Sequence, residues 1–133
     1  MRAEAVPYEY MAMKNEKFTQ DEYDAMAEVA RGLKGDRVSA CVGRNTKRLA
    51  GLKLFKIAGN GRITLTDAGH QTLFLRRCIL SMRAIAADPM SPLDEAVILF
   101  LGKKAHIVPR AEGGFVLSDK GRESLDDITS QGL

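Results

Sequence analysis

Leu65-Thr66-Asp67-Ala68-Gly69-His70-Gln71-Thr72-Leu73 returns 52 residues later as Leu117-Ser118-Asp119-Lys120-Gly121-Arg122-Glu123-Ser124-Leu125. In each copy a leucine ending an alternating stretch meets a hydroxyl residue that can cap a helix and an aspartate suited to a helix's first turn. The hydrophobic period changes there from 2 to 3.6, as it does where a strand runs into a helix. Gly61 and Ile63 map at the same offset onto Gly113 and Phe115. The recurrence reads as two copies of one unit, the second degenerate, sharing one long helix.

Working outward, Leu54-Phe55-Lys56-Ile57 and Arg62-Ile63-Thr64-Leu65 flank Ala58-Gly59-Asn60-Gly61, which predicts a β-hairpin with glycines where positive φ is needed. Residues 105–109, a turn over 110–114 and Phe115-Val116-Leu117 predict a second. Upstream, Thr19-x-x-Glu22 is a capping box opening a helix. Its apolar positions are Tyr23, Met26, Ala27, Ala30 and Leu33, with Gly35 closing it. A brief helix over 38–42 stopped by Gly43, then a third helix capped by Asn45 and running to about Leu52, completes the order before the hairpin; an alternative register starts that helix near Ser39. Thr66 caps a long helix to about Ala86. Ser91 caps the next, with Pro92 at its first position, ending near Gly102, and Ser118 caps the last. At the offset of 52 the first capped helix falls on residues 72–84. The fold class expected is mainly α with small β-hairpins: a tandem of two units, residues 19–86 and 87–133, preceded by an arm over 1–18.

Helix, short helix, helix, hairpin, helix is the order of a winged helix-turn-helix. Arg48-Leu49-Ala50-Gly51-Leu52-Lys53-Leu54-Phe55 resembles the end of a recognition helix entering the first wing strand. Arg62-Ile63-Thr64-Leu65-Thr66-Asp67-Ala68-Gly69-His70 is similar to the second wing strand and following helix of MarR-like and related bacterial regulators. The resemblance covers about residues 19–86. It implies a helix in the major groove of DNA and a hairpin on the flanking backbone or minor groove. Lys53 departs from the family, which often has glycine where the chain leaves the helix, and the basic residue after the junction glycine is His70 in one copy and Arg122 in the other.

Charge agrees with that implication. Between Arg31 and Arg62 stand nine basic residues against one acid, a local net charge of +8 in a chain whose total is +3. Such asymmetry suits a polyanion. Arg44, Asn45, Thr46, Lys47, Arg48, Lys53, Lys56 and Arg62 are the residues expected to touch DNA, Arg48 at base edges and Lys47 and Arg62 at phosphates. The expected activity is sequence-specific double-stranded DNA binding by a transcriptional regulator of bacterial or phage type. One winged unit reads only a few base pairs, so a homodimer on two half-sites is expected. The alternative is a winged helix used on a protein partner, a phage-encoded inhibitor or an adaptor of a nucleic-acid machine, with residues 87–133 as its contact.

Other classes have little to stand on. The 133 residues are 45% hydrophobic and 28% charged, an ordinary globular balance. His70 and His106 have no nucleophile at a motif spacing, and Cys41 and Cys78 sit on apolar faces, so no enzyme, no metal site and no cofactor are expected. Gly59-Asn60-Gly61 and Glu112-Gly113-Gly114 lack the GK[ST] of a phosphate loop. No apolar run reaches the roughly 18 residues a membrane span needs, and the first residues lack an apolar signal core, so a cytoplasmic location is expected.

Overall fold

The computed structural model describes residues 17–33 and 38–133. The expected arm, all but its last two residues, lies outside them, as does Gly35. The order is α1 (Gln20–Arg31), α2 (Ala40–Gly51), β1 (Phe55–Ile57), β2 (Ile63–Leu65), α3 (Asp67–Ala87), α4 (Glu95–Lys103), β3 (Ile107–Pro109), β4 (Phe115–Leu117) and α5 (Asp119–Ser130). The described chain is thus mainly helical with two small antiparallel hairpins. It divides into one compact unit ending at Leu73 and another over Phe74–Leu133.

In the first unit the Thr19 hydroxyl accepts from Glu22 N at 3.1 Å and the Glu22 carboxylate accepts from Thr19 N at 2.8 Å, closing the capping box. α1 stops at Gly32, whose φ of 98° no side chain favours, and not at Gly35. Its buried face is Glu22, Ala25, Met26 and Val29, while Ala30 is exposed: Met26 and Val29, with far more area to hide than an alanine, set the face. The expected helix over 38–42 and the one capped by Asn45 are a single helix. Ser39 caps it, accepting from Val42 N at 3.1 Å. Gly43 does not break it, because a helical glycine costs only about 1 kcal/mol, which Val42 and Leu49 offset by full burial on either side.

Lys53 then takes a left-handed conformation, φ 64°. Lys53 N donates to Ala50 O and Leu54 N to Leu49 O, so the turn that usually takes glycine is built here on a lysine. The hairpin pairs Phe55 with Leu65 and Ile57 with Ile63. Gly61, φ 85°, and an Asn60 side chain accepting from Arg62 N close its turn. Leu54, Phe55 and Ile63 bury against α1 and α2, and Leu73 packs half-buried beside them.

The second unit repeats the plan. Ala105 matches Lys53 with φ 60°, and His106 N donates to Leu101 O as Leu54 N does to Leu49 O. Thr66 N donates to Leu54 O at 3.0 Å, and Ser118 N to His106 O at 2.9 Å. The Thr66 and Ser118 hydroxyls donate to the Lys53 and Ala105 carbonyls and accept from the Gly69 and Gly121 amides. Its core is Cys78, Met82, Ile85, Val97, Leu101, Ile107 and Leu117. Two expectations change. Ser91 does not cap α4: its hydroxyl donates to Ala84 O, and the helix starts after Asp94, which makes no side-chain cap bond. The buried Met26 and Val29 match Met82 and Ile85 at an offset of 56, not 52: Leu49 follows Val29 by 20 positions, and Leu101 follows Ile85 by 16. Four residues are about one helical turn, so the same face stays inward.

A Cβ at Gly69 would lie 2.7 Å from Leu54 O, and one at Gly121 would collide with His106 O. We expect Gly69→Ala to destabilise more than Gly59→Ala, a turn position with open space around it. Leu49→Ala should cost ~2–5 kcal/mol and half-buried Leu73→Ala distinctly less, read from urea midpoints.

Candidate nucleic-acid interface

Seven of the eight residues expected to meet DNA fall into two groups, and Thr46 stands apart. Arg44, Asn45 and Arg48 turn toward the start of α1. Arg44 Nη2 donates to Asp21 Oδ1 at 2.9 Å, and Asn45 Nδ2 donates to Asp21 Oδ2 and to Cys41 O, each at 2.8 Å. Arg48 Nε donates to Glu22 Oε2 at 2.7 Å, and its guanidinium lies 5.6 Å from the Phe18 ring centroid. Thr46 returns its hydroxyl to Val42 O at 2.7 Å, an internal helix bond. Arg48, expected at base edges, is thus engaged with Glu22 and the Phe18 ring at the α1–α2 crossing.

The partner residues carry a signal in the sequence. Asp21 and Glu22 sit in the first turn of α1, where the helix dipole favours acids. Arg44 and Arg48, four apart, lie on one face of α2. Two acids beside each other and two cations at helical spacing was the signal that the first helix clasps the second.

Lys47, Lys53, Lys56 and Arg62 form the second group. All four are exposed, and none pairs with an acid among the described residues. Lys47 stands on the outward side of α2, Lys53 at the left-handed exit from it, Lys56 on β1 and Arg62 at the start of β2 after the turn. Arg62 also borders a cleft of about 440 Å³ between the end of α1 and the hairpin, with His70 and the apolar Val29, Leu33 and Ile63.

The second unit uses the same positions differently. Leu99 stands where Lys47 does and is 64% exposed; Val108 stands where Lys56 does and is 43% exposed. Phe100 takes the place of Arg48, and its ring meets Phe74 edge-on at 5.3 Å, as Arg48 meets Phe18. A crossing held by a cation on a ring in one copy is held by two rings in the other.

Asp21 carries the clearest electrostatic mark. Hydrogen bonds from Arg44 and then Asn45 hold its carboxyl down at about 2. Burial pushes the Cys78 thiol up to about 12, and burial with the neighbouring Asp21 raises Cys41, so neither is a poised thiolate. His70 is exposed; His106 is half-buried, its Nδ1 without a partner among the described residues, and burial with Lys104 and Lys120 lowers its pKa. No three His, Cys, Asp or Glu side chains among the described residues cluster as a metal would need, and no described helix is long and apolar enough to cross a membrane. The chain matches no family model, and comparison with curated proteins and solved structures finds no match.

Arg48→Ala strips a buried carboxylate of its cation and should cost roughly 1–3 kcal/mol. Removing the charge of both partners, Glu22→Gln with Arg48→Met, should recover part of that loss, since Gln keeps an oxygen for Thr19 N and leaves no unpaired buried charge. Asp21 titrates lower in the folded than in the unfolded chain. Its pairing therefore stabilises fully above about pH 4 and fades as pH falls toward 2. Thermal melts of Asp21→Asn should lose that portion of the acid sensitivity; an unchanged pH profile would contradict the pairing.

Proposed function

We propose that this chain is a sequence-specific double-stranded DNA-binding transcriptional regulator of bacterial or phage type, acting in the cytoplasm, with α1 and α2 as a helix-turn-helix and the β1–β2 hairpin as its wing. In this reading the recognition helix takes the register that starts at Ser39. One observation carries it: of the eight residues expected to meet DNA, the four cations that pair with no acid among the described residues are on α2, at its exit and on the hairpin, the elements that a winged helix turns toward a duplex.

The roles follow from the pairings. Lys53, Lys56 and Arg62 meet phosphates, where a point charge or a guanidinium fork serves without sequence information. Lys47, on the outward side of α2, is the residue free to reach base edges in the major groove. Arg44, Asn45 and Arg48 are positioning residues: by gripping Asp21 and Glu22 they fix the angle of α2 on α1. Second in rank is a winged helix that binds a protein, favoured by the exposed Leu99 and Val108 of the second unit, which have no use at a phosphate backbone.

Fluorescence anisotropy against duplex DNA at several salt concentrations separates the two. Log affinity should fall linearly with log salt, and Lys53→Ala, Lys56→Ala and Arg62→Ala should each flatten the slope by about 1. Lys47→Ala should cost ~1–3 kcal/mol on the preferred site and relax discrimination there. Absence of duplex binding even at low salt would overturn the DNA reading in favour of a protein partner.

A further inference from the structure

α4 carries an outward stripe with the sequence logic of a self-pairing helix. Glu95, Leu99 and Lys103 are spaced four apart and all three are exposed, Leu99 at 64%. Spacing of four puts them on one face, with Glu95 and Lys103 each about 6 Å along the axis from Leu99. The stripe is flanked by Ala96 and Gly102, also exposed, and a Cβ built at Gly102 meets nothing within 4 Å. Small residues on both sides of a large apolar one let a second backbone come close. Neither Glu95 nor Lys103 pairs with a charged side chain among the described residues.

We propose that α4 docks against α4 of a second copy of this chain, antiparallel, about a two-fold axis that passes beside Leu99. The charges select this occupant and this direction. With Leu99 against the partner's Leu99, an antiparallel pair sets Glu95 level with the partner's Lys103 and Lys103 level with the partner's Glu95. Two attractive contacts thus form by symmetry. A parallel pair would set like charges together. The rest of the second unit does not oppose self-association, because Phe74–Leu133 holds eight basic and eight acidic residues and is neutral. The corresponding stripe of the first unit, Gly43, Lys47 and Gly51, has a cation at its centre and would repel its own copy. The inference stands on its own observations and does not need the DNA reading; if both hold, the same contact supplies the second half-site reader.

Sedimentation velocity of the full chain over roughly 5–500 µM tests it, a range suited to the weak affinity of a small seam. We expect a concentration-dependent monomer–dimer equilibrium that Leu99→Glu abolishes while the helical circular dichroism stays unchanged. Glu95→Lys alone and Lys103→Glu alone should each weaken the dimer about tenfold, since each puts two like-charge contacts in place of two attractive ones. The combined swap, Glu95→Lys with Lys103→Glu, should restore it. A monomer at every concentration, a dimer indifferent to Leu99→Glu, single changes without effect, or a double swap that fails to recover would each overturn the proposal.

Discussion

Each unit depends on one close approach, where the helix after the hairpin touches the backbone before it. Gly69 brings α3 onto the Leu54 carbonyl with no room for a side chain, and Gly121 brings α5 onto the His106 carbonyl in the same way. The hydroxyl three residues earlier ties the junction. Thr66 and Ser118 each donate a hydrogen bond to the carbonyl of the left-handed residue before the hairpin and accept one from the glycine's amide. That closes the hairpin onto its helix and turns Leu54, Phe55 and Ile63, or Ile107 and Leu117, into the core. Two three-residue strands would be marginal alone; docked this way they become part of a buried face.

With the backbone fixed by that junction, the two copies are free to differ in what they show to solvent. The differences fall where an outward surface would be specialised: Lys47 against Leu99, Lys56 against Val108. Inward positions keep their character, as in Leu49 and Leu101 or Met26 and Met82, because core volume is constrained on both sides. The crossing between the first two helices of each unit shows a third behaviour, in which Arg48 on Phe18 and Phe100 on Phe74 meet the same spatial need with different chemistry. Where the first copy shows Lys47, Lys53, Lys56 and Arg62, the second has the uncharged Leu99, Ala105, Val108 and Gly114.

Both hairpins, the capping box, the Thr66 and Ser118 caps and the ends of the repeat could be read from residue order, because each rests on local chemistry of a few neighbours. Helix continuity through Gly43 could not. Whether a glycine ends a helix depends on burial on either side, and Val42 and Leu49 decide it through tertiary contacts. Asn45 has the right side chain for a cap, but Ser39 starts the helix first and leaves Asn45 to bind Asp21. The candidate site was legible in composition and not in detail. The basic run was plain, yet which cations face outward turned on Asp21 and Glu22, more than twenty positions away in the chain.

The central claim is that the first unit, through α2 and the β1–β2 hairpin, is the face that meets DNA. Amide chemical-shift mapping of the full chain with a duplex at low salt tests it most directly. The account predicts saturable shifts concentrated in residues 40–65, strongest around Lys47, Lys53 and Arg62, with the second hairpin unmoved. Shifts centred on Leu99 and Val108, or none at all, would contradict it.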